Sequence, residues 1–304
     1  FIGGMGGSGI AGEVFAAWVA DRSRMPIHPV HDYRLPSYAR PGDLLVSVSY
    51  SGETEETLAA TAQGIKLGCR IIAVTSGGTL AKLARDLHAP FVEVPGGLPP
   101  RGAFGYLFGI LPALGAAWAA DDLRTELMEA VAHLKDLRGR FRPESPKAKN
   151  RAKLLAARIH GTTPIVYGAH PFNAIAKRWQ TQLNENAKLM AFSSVLPEAD
   201  HNEIIGWASD AGARRFTAIL LRDADEAPEM HRRLDATAAL FGKEARVEQV
   251  RDEHPQLLSR MLGSLYLGDY LSLYLAMLRH VDPLPVAPIQ ELKKRLKRPL
   301  RGPG

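Results

Sequence analysis

The chain of 304 residues has 46% hydrophobic and 23% charged residues, which is ordinary for a soluble globular protein and enough for one large or two medium domains. No signal peptide is visible, and no apolar run approaches the roughly 20 residues that cross a bilayer, so we expect no membrane partner. The net charge of +6 lies in residues 292–304, which carry six Lys and Arg and no acid. This basic tail is typical of a solvated helix end, and we expect no nucleic-acid partner.

Cysteine usage points to the compartment. Cys69 is the single cysteine, which excludes an internal disulfide and indicates a reducing, cytoplasmic environment. We interpret Cys69 as a small buried residue rather than as a nucleophile. The chain opens inside a predicted strand, which leaves open whether a native segment precedes Phe1.

Residues 1–12 form a short apolar start followed by a glycine cluster and a helical run. Glycines permit positive φ and close approach of another backbone. Gly4, Gly6 and Gly9 also fit a G-x-G-x-x-G pattern, which is a weak signal for a dinucleotide. The next predicted strand, residues 26–30, is followed by His31-Asp32, so a dinucleotide site stays open as an alternative.

Residues 44–57 contain the most informative pattern in the chain. Leu44 to Val46 predict a buried parallel strand, and a hydroxyl-rich turn and a helix follow from Gly52. We expect the acidic residues Glu53, Glu55 and Glu56 in the first turn of that helix. Free backbone N–H groups and hydroxyls at such a turn form an anion cradle that suits phosphate. The alternative is simple helix capping, but capping needs one hydroxyl and this turn offers four or five.

Further elements complete the first half. Strands are predicted at 70–75 and 90–94, followed by Arg101 between Pro-Pro and an apolar helix start. An arginine there is either an exposed loop residue or part of a site. Residues 104–140 are predicted helical, and the polar stretch that follows is the best candidate for a linker.

The second half repeats the alternation of strand and helix. We predict strands at 163–168, 191–195, 216–221 and 245–250, and a helix over 172–188. The repetition predicts an α/β fold of two tandem doubly wound parallel sheets, in subdomains 1–140 and 150–304. The second half lacks a hydroxyl-rich turn, so only the first is expected to hold phosphate. The apolar stretch 256–280 predicts a buried helix, at a dimer interface in one interpretation, and a last helix covers 289–296.

Two motifs carry a resemblance to known families. The pattern S-x-S-G-x-T-x-E-T, residues 49–57, resembles the phosphosugar-binding signature of SIS (sugar isomerase) domains. The string GMGGSGIAGE, residues 4–13, closely resembles the opening of the bifunctional phosphoglucose/phosphomannose isomerases. The resemblance implies two flavodoxin-like SIS subdomains. It also implies a phosphate cradle, whose members would be Gly7, Ser8, Ser49, Ser51 and Thr54.

The same resemblance implies the catalytic residues. The pattern W-x-x-Q-x-x-E-N-A-K, residues 179–188, resembles the isomerase helix that bears the base, here Glu185, which would otherwise pass for an ordinary exposed carboxylate. The string His201-Asn202-Glu203 resembles the segment with the ring-opening histidine, and Glu203 stays a second candidate base. Arg101 would steady the enediolate. Lys293 would enter the site from the last helix, with the adjacent Lys294 as the alternative.

The implied function is an aldose–ketose isomerase that interconverts glucose 6-phosphate, and mannose 6-phosphate, with fructose 6-phosphate through a cis-enediolate, without a metal or other cofactor. Residues 281–288 lack the hydroxyl that could serve the sugar in this family, which makes the mannose activity less certain. The family also implies a homodimer in which His201 reaches the partner's site. The alternatives are a non-catalytic phosphosugar sensor, which usually carries a helix-turn-helix segment, and transfer of amide nitrogen, which needs a glutaminase domain.

Overall fold

The computed structural model describes residues 1–115 and 123–296. The strands are β1 (Ile2–Gly3), β2 (Pro29–Val30), β3 (Leu44–Val48), β4 (Arg70–Thr75), β5 (Phe91–Glu93), β6 (Thr163–Ala169), β7 (Phe192–Leu196), β8 (Phe216–Arg222) and β9 (Arg246–Arg251). The helices are α1 (Gly6–Val19), α2 (Glu55–Leu67), α3 (Gly78–Asp86), α4 (Phe104–Gly115), α5 (Leu123–Phe141), α6 (Arg151–Ile159), α7 (Phe172–Glu185), α8 (Glu203–Ser209), α9 (Pro228–Phe241), α10 (Leu257–Leu278) and α11 (Ala287–Leu296). Short 3₁₀ helices cover Pro100–Ala103, Lys147–Lys149, Glu198–His201 and Ala211–Arg215.

These strands form two parallel sheets, each flanked by helices. The first sheet has the order β2-β1-β3-β4-β5, and the second has the order β7-β6-β8-β9. In each sheet the first strand of the half lies between its two successors, so the direction of winding reverses there. The predicted α/β fold with two doubly wound parallel sheets is therefore confirmed. The division into 1–140 and 150–304 stays a prediction.

The predicted elements match the observed ones closely, with differences at their ends. β4 has the predicted bounds, whereas β2 is shorter than the predicted 26–30. α2 begins at Glu55 rather than directly after Gly52, because Thr54 is still extended and serves as its N-cap residue. Residues 116–122 of the predicted helical stretch 104–140 lie outside the described residues.

One apolar core connects the two halves. It includes Val14 and Phe108 of the first half and Trp179, Leu265 and Leu271 of the second, all nearly or fully buried. α10 is long and apolar enough to span a membrane, but 61% of its most apolar window is buried inside the protein. Burial of this kind is what the central helix of a packed core shows, in agreement with the predicted buried helix.

Candidate active site

The five predicted phosphate-binding residues lie on two turns at the carboxyl edge of the first sheet. Gly7 and Ser8 follow β1, and Ser49, Ser51 and Thr54 follow β3. β1 and β3 are neighbours, and the winding of the sheet reverses between them. Ligands of doubly wound sheets bind at this type of crevice. The two turns also contact each other directly, since the Tyr50 backbone N–H donates to Ser8 Oγ at 3.0 Å.

The turn after β3 depends on its glycine. Gly52 has φ +68°, and a Cβ there would strike the carbonyl oxygen of Gly77. Within the turn, the buried Ser49 hydroxyl donates to Thr54 Oγ1 at 2.9 Å, while Ser51 stays exposed. The prediction that Glu53 lies in the first helical turn is wrong. Its carboxylate instead accepts from the backbone N–H of Thr79, at 2.7 Å, at the start of α3.

The N-terminus of α1 supplies further donors. The helix begins at Gly6, its N-cap residue Met5 makes no side-chain hydrogen bond, and its first turn has no acidic residue. The first N–H groups of a helix have no partner within the helix. This end of α1 therefore leaves donors and a positive dipole end for an anion beside Ser8.

Arg101 lies against this cradle and is buried. The backbone of Gly7 approaches it so closely that a Cβ at Gly7 would lie 2.9 Å from the Arg101 nitrogen. Its Nε donates to Asn186 Oδ1 at 2.6 Å, and Nη1 lies 3.3 Å from Glu185 Oε2. Nη2 donates to the Pro283 carbonyl at 2.7 Å. The alternative of an exposed loop arginine is wrong, and this side chain connects the two halves.

Glu185 is the last residue of α7, and its side chain is 25% exposed whereas that of Arg101 is 6% exposed. Polar residues of α7 and α10 form a hydrogen-bonded layer next to this pair. Asp269 accepts from Arg178 Nε at 3.1 Å and from Gln182 Nε2 at 2.9 Å. Arg178 Nη2 also donates to the Arg101 carbonyl at 2.8 Å. This layer fixes the backbone of Arg101 relative to the carboxylate.

Lys188 is a residue whose role the sequence pattern did not indicate. It lies beyond the end of α7 with φ +50°, and its ammonium donates to the carbonyls of Glu185, at 2.5 Å, Pro283, at 3.1 Å, and Pro285, at 2.6 Å. Burial lowers the pKa of Lys188, and the charge of Arg101 lowers it further. The two cations share the Pro283 carbonyl and hold residues 283–285 beside Glu185. The E-N-A-K motif marked the residue, but only the left-handed backbone explains where the ammonium points.

His31 is a second residue near the cradle that the sequence did not assign to it. Its Nδ1 lies 2.6 Å from the Gly4 carbonyl oxygen, and Nε2 lies 2.6 Å from Glu13 Oε1 on α1. The hydrogen bond to Glu13 raises the pKa of His31. A Cβ at Gly9 would lie 2.8 Å from the ring. The imidazole of His31 therefore packs against the glycine turn and holds it in place.

His201 lies far from Glu185 within the chain. α7 leads away from the carboxyl edge of the second sheet, and β7 returns to that edge beside β6. His201 follows β7, whereas Glu185 lies at the far end of α7, whose 14 residues span roughly 21 Å. The His201 side chain is exposed. Both oxygens of Glu203, the second candidate base, accept hydrogen bonds, from Tyr167 and Ser194, at 2.6 and 2.5 Å.

Lys293 and Lys294 are both exposed on α11, which has no buried residue. α11 begins two residues after Pro285, whose carbonyl binds Lys188, so the helix starts next to the site. Within residues 1–115 and 123–296, neither lysine contacts Glu185 or Arg101. In the same part of the chain no cluster of three His, Cys, Asp or Glu side chains could hold a metal ion.

Comparison with known proteins identifies the family. Residues 148–296 match the bacterial phospho-glucose isomerase C-terminal SIS domain, and residues 1–94 match the SIS domain. The chain is 38% identical over 300 residues to a bifunctional phosphoglucose/phosphomannose isomerase from Caldicellulosiruptor bescii, covering 96% of this chain and 88% of the relative. It is 33% identical to the enzyme of the same name from Thermoplasma acidophilum, over 97% and 88% of the two chains.

Among solved structures, a hypothetical protein from Thermus thermophilus superimposes with a TM-score of 0.72 at 17% identity, over 98% of this chain and 83% of that chain. At this identity the likeness shows the fold alone. The sequence relationships, which extend over nearly the whole chain, show that this chain belongs to the bifunctional phosphoglucose/phosphomannose isomerase family.

Proposed function

We propose that this chain interconverts glucose 6-phosphate, and mannose 6-phosphate, with fructose 6-phosphate by proton transfer through a cis-enediolate. The observation that carries the proposal is the pairing of Arg101 and Glu185, 3.3 Å apart, beside the hydroxyl-rich turns of the first sheet. This arrangement combines an anion site, a fixed cation and a partly exposed carboxylate. A non-catalytic sensor needs only the first of the three.

The cradle binds the substrate phosphate. Gly7 and Ser8 offer the N-terminus of α1, and Ser51 and Thr54 offer hydroxyls on the turn after β3. Ser49 belongs to the cradle through its hydrogen bond to Thr54 Oγ1, which leaves the Thr54 proton for the phosphate. With one end of the sugar anchored, carbons 1 and 2 lie at a set distance from the phosphate. The binding energy of the phosphate, which is remote from the reacting carbons, is thus used to orient carbons 1 and 2 in the site.

Glu185 acts as the base. It takes the proton from carbon 2 of the aldose, the electron pair forms the double bond between carbons 1 and 2, and the carbonyl oxygen becomes negative. The same carboxylic acid then returns the proton to carbon 1. The hydroxyl proton on carbon 2 passes to the negative oxygen on carbon 1, so that carbon 2 becomes the carbonyl of the ketose. Arg101 stabilises the enediolate, because its guanidinium keeps its charge and is held in place by Asn186 and the Pro283 carbonyl.

His201 opens the sugar ring in the site of a neighbouring subunit. The separation of His201 from Glu185 within one chain, roughly the length of α7, supports a donor in trans. A homodimer with a shared site satisfies this need, and Lys293 completes the site from α11. The enzyme works in the cytoplasm without a metal or other cofactor.

Residues 281–288 bear on the choice between glucose and mannose. They contain no Ser or Thr, and their carbonyls at 283–285 are engaged by Arg101 and Lys188. A hydroxyl donor to the sugar is therefore missing on this side. We expect a lower kcat/KM for mannose 6-phosphate than for glucose 6-phosphate.

The test of the reaction uses the chelator-treated chain and fructose 6-phosphate in D₂O. Proton NMR should show glucose 6-phosphate forming, with deuterium incorporated at carbon 2, because the proton on Glu185 exchanges with solvent during the enediolate stage. Turnover that disappears after chelation and returns with zinc would overturn the metal-free mechanism. Absence of turnover with every hexose 6-phosphate would overturn the proposed isomerase activity and favour the non-catalytic phosphosugar sensor.

The test of the shared site is complementation. Inactive Glu185→Gln and inactive His201→Ala subunits are mixed under conditions that allow exchange. If His201 acts in trans, each hybrid dimer holds one intact site, and about a quarter of wild-type activity returns after random pairing. If His201 acts in cis, every site keeps one defect and no activity returns, which leaves the isomerase assignment intact.

A further inference from the structure

A cavity of about 370 Å³ lies where the two halves meet, between α5 of the first half and the start of α6, the end of β9 and α10 of the second. Its volume falls in the range of small-molecule sites. The polar residues that surround it are predominantly basic. They are His133, Arg140, Lys149, Arg151, Arg251 and His254, against the two carboxylates of Asp252 and Glu253.

Both carboxylates of the cavity are already engaged. Asp252 Oδ2 lies 2.8 Å from His133 Nε2, and its other oxygen accepts from the His254 backbone N–H at 3.0 Å. Glu253 lies 3.2 Å from Arg251 Nε. Gly263 makes room for the Asp252 pair, because a Cβ there would strike Asp252 Oδ2. Both acids therefore already have partners within the protein.

Two of the other cations, Arg151 and Lys149, keep N–H groups for a ligand. Arg151 Nη1 donates to the Arg251 carbonyl at 2.6 Å, and Nη2 to the Gln249 carbonyl at 3.5 Å. Within residues 1–115 and 123–296, neither Arg151 nor Lys149 forms an ion pair with a carboxylate. The cavity thus combines an excess of positive charge with guanidinium N–H groups at its wall.

The Ser264 hydroxyl is a separate indication that the cavity binds a ligand. This α10 residue lines the cavity and is 2% exposed, yet its hydroxyl has no hydrogen-bond partner in the part of the chain that the structure describes. A buried hydroxyl without a partner is unfavourable, and nearly all such groups in folded proteins are satisfied. Because the Ser264 Oγ atom is itself buried, the cavity wall must shift before a ligand oxygen can accept this hydrogen bond.

We propose that this cavity is a second anion site, which binds the dianionic phosphate group of inorganic phosphate or of a small phosphomonoester. Arg151, Lys149 and the Ser264 hydroxyl contact the phosphate oxygens, and the paired His133 and Asp252 form the back wall. The site is separate from the cradle at Ser8 and Ser51. It revises the sequence-based expectation that only the first half holds phosphate, because here cations replace the hydroxyl-rich turn.

The experiment weakens the first site before it probes the second. In the full chain carrying Ser51→Ala and Thr54→Ala, unfolding temperature and calorimetric binding are measured against inorganic phosphate and glycerol 3-phosphate. Both measurements should still show binding, because a ligand of the folded state raises the unfolding temperature. Tighter binding of glycerol 3-phosphate identifies a phosphomonoester site, and equal affinity identifies a site for the free ion.

Variants of the cavity are then added to the same background. Arg151→Gln should weaken phosphate binding about 10-fold or more, since bonds to charged groups are the strong ones. Ser264→Ala should weaken it less, without lowering the unfolding temperature of the unliganded chain. The matched control is Arg158→Gln, an exposed arginine of α6 outside the cavity.

Two results would overturn the second site. One is the absence of any phosphate-dependent shift in the Ser51→Ala and Thr54→Ala background. The other is that Arg151→Gln and Ser264→Ala both bind phosphate as tightly as Arg158→Gln does. If Arg151→Gln fails to fold, Ser264→Ala decides alone, because it removes one hydroxyl without leaving a charge or a large void.

Discussion

The two halves have the same winding but differ at the crevice where the winding reverses. In the first sheet, the turns after β1 and β3 consist of glycines and hydroxyl residues, and Ser51 is exposed there. In the second sheet, Arg222 at the end of β8 is buried and bonded to Glu226 and Asp235. Asp223, next to it, lies 2.5 Å from Arg260. One crevice offers donors, and in the other the protein's own charges satisfy each other.

This difference shows that the shared backbone plan supplies only the place for a site. Whether a ligand enters depends on which residues occupy two short turns. The second half contributes differently, through the far ends of its helices. Glu185 at the end of α7 and the carbonyls after α10 meet Arg101 from the first half. The comparison therefore predicts a division, with binding of the substrate phosphate in the first half and the catalytic base in the second.

The largest expected effect is in kcat. Glu185→Gln should lower kcat by about 10²–10⁴-fold with little change in KM, because it removes the base but leaves the cradle intact. The matched control is Glu203→Gln, whose oxygens already accept from Tyr167 and Ser194. Steady-state kinetics with glucose 6-phosphate distinguish the two. An equal loss of kcat in Glu203→Gln would reassign the base to the carboxyl edge of the second sheet.

The next effect concerns stability. Asp223→Asn removes one partner of the buried Arg260, which should lower the free energy of unfolding by about 3 kcal/mol, because an unpaired buried charge is left behind. Urea denaturation measures the change. Asp225→Asn, an exposed carboxylate on the same turn, is the control and should alter stability little. If Asp223→Asn has the same free energy of unfolding as the control, the pair of Asp223 and Arg260 does not stabilise the crevice of the second sheet.

A smaller effect is expected in KM. Ser51→Ala removes one hydroxyl donor to the substrate phosphate, a bond worth about 1.5–3 kcal/mol, and should raise KM about 10- to 100-fold. His170→Ala changes an exposed residue on the corresponding turn after β6 and should leave KM unchanged. A greater loss in kcat than in KM would mean that this bond serves mainly to orient the sugar. Unchanged kinetics in Ser51→Ala would remove Ser51 from the cradle.

The sequence predicted the strands and the doubly wound sheets, since these depend on local patterns, whereas the residues of the cradle stay a prediction. Hydrophobic runs, turn residues and motif spacing are all properties of neighbouring positions. The network around Arg101 depends instead on separations of 84 residues to Glu185 and 182 to Pro283. No local pattern indicates which distant carbonyls an arginine or Lys188 will meet.

Glu53 and His31 illustrate the same limit. The prediction for Glu53 used its place before a helix, but its carboxylate binds Thr79, 26 residues away in sequence. His31 was noted only as part of a dinucleotide alternative, and its contact with Glu13 depends on how α1 packs beside β2. Both side chains bind partners on other elements of the fold, and local sequence patterns do not show these contacts.

The smallest effect concerns the pKa of His31, which supports the glycine turn of the first half. The bond to Glu13 raises this pKa above the ordinary 6.5, and the nearby charge of Lys177 opposes the rise. A raised pKa in the folded state contributes stability that is fully present below pH 6.5 and is lost as the pH rises through the folded value. Glu13→Gln should lower the pKa of His31 toward 6.5 and remove this part of the pH dependence.

NMR titration of the imidazole, with unfolding measured at several pH values, checks this expectation. The matched control is Asp32→Asn, because Asp32 is the carboxylate next to His31 in sequence but accepts from the Tyr33 backbone N–H at 2.5 Å. Glu13→Gln should move the pKa of His31, and Asp32→Asn should not. If both substitutions lower it equally, the raised pKa reflects the general negative field at this edge. The turn after β1 would then have no specific support from His31, and the contrast between the two halves would rest on the hydroxyl residues alone.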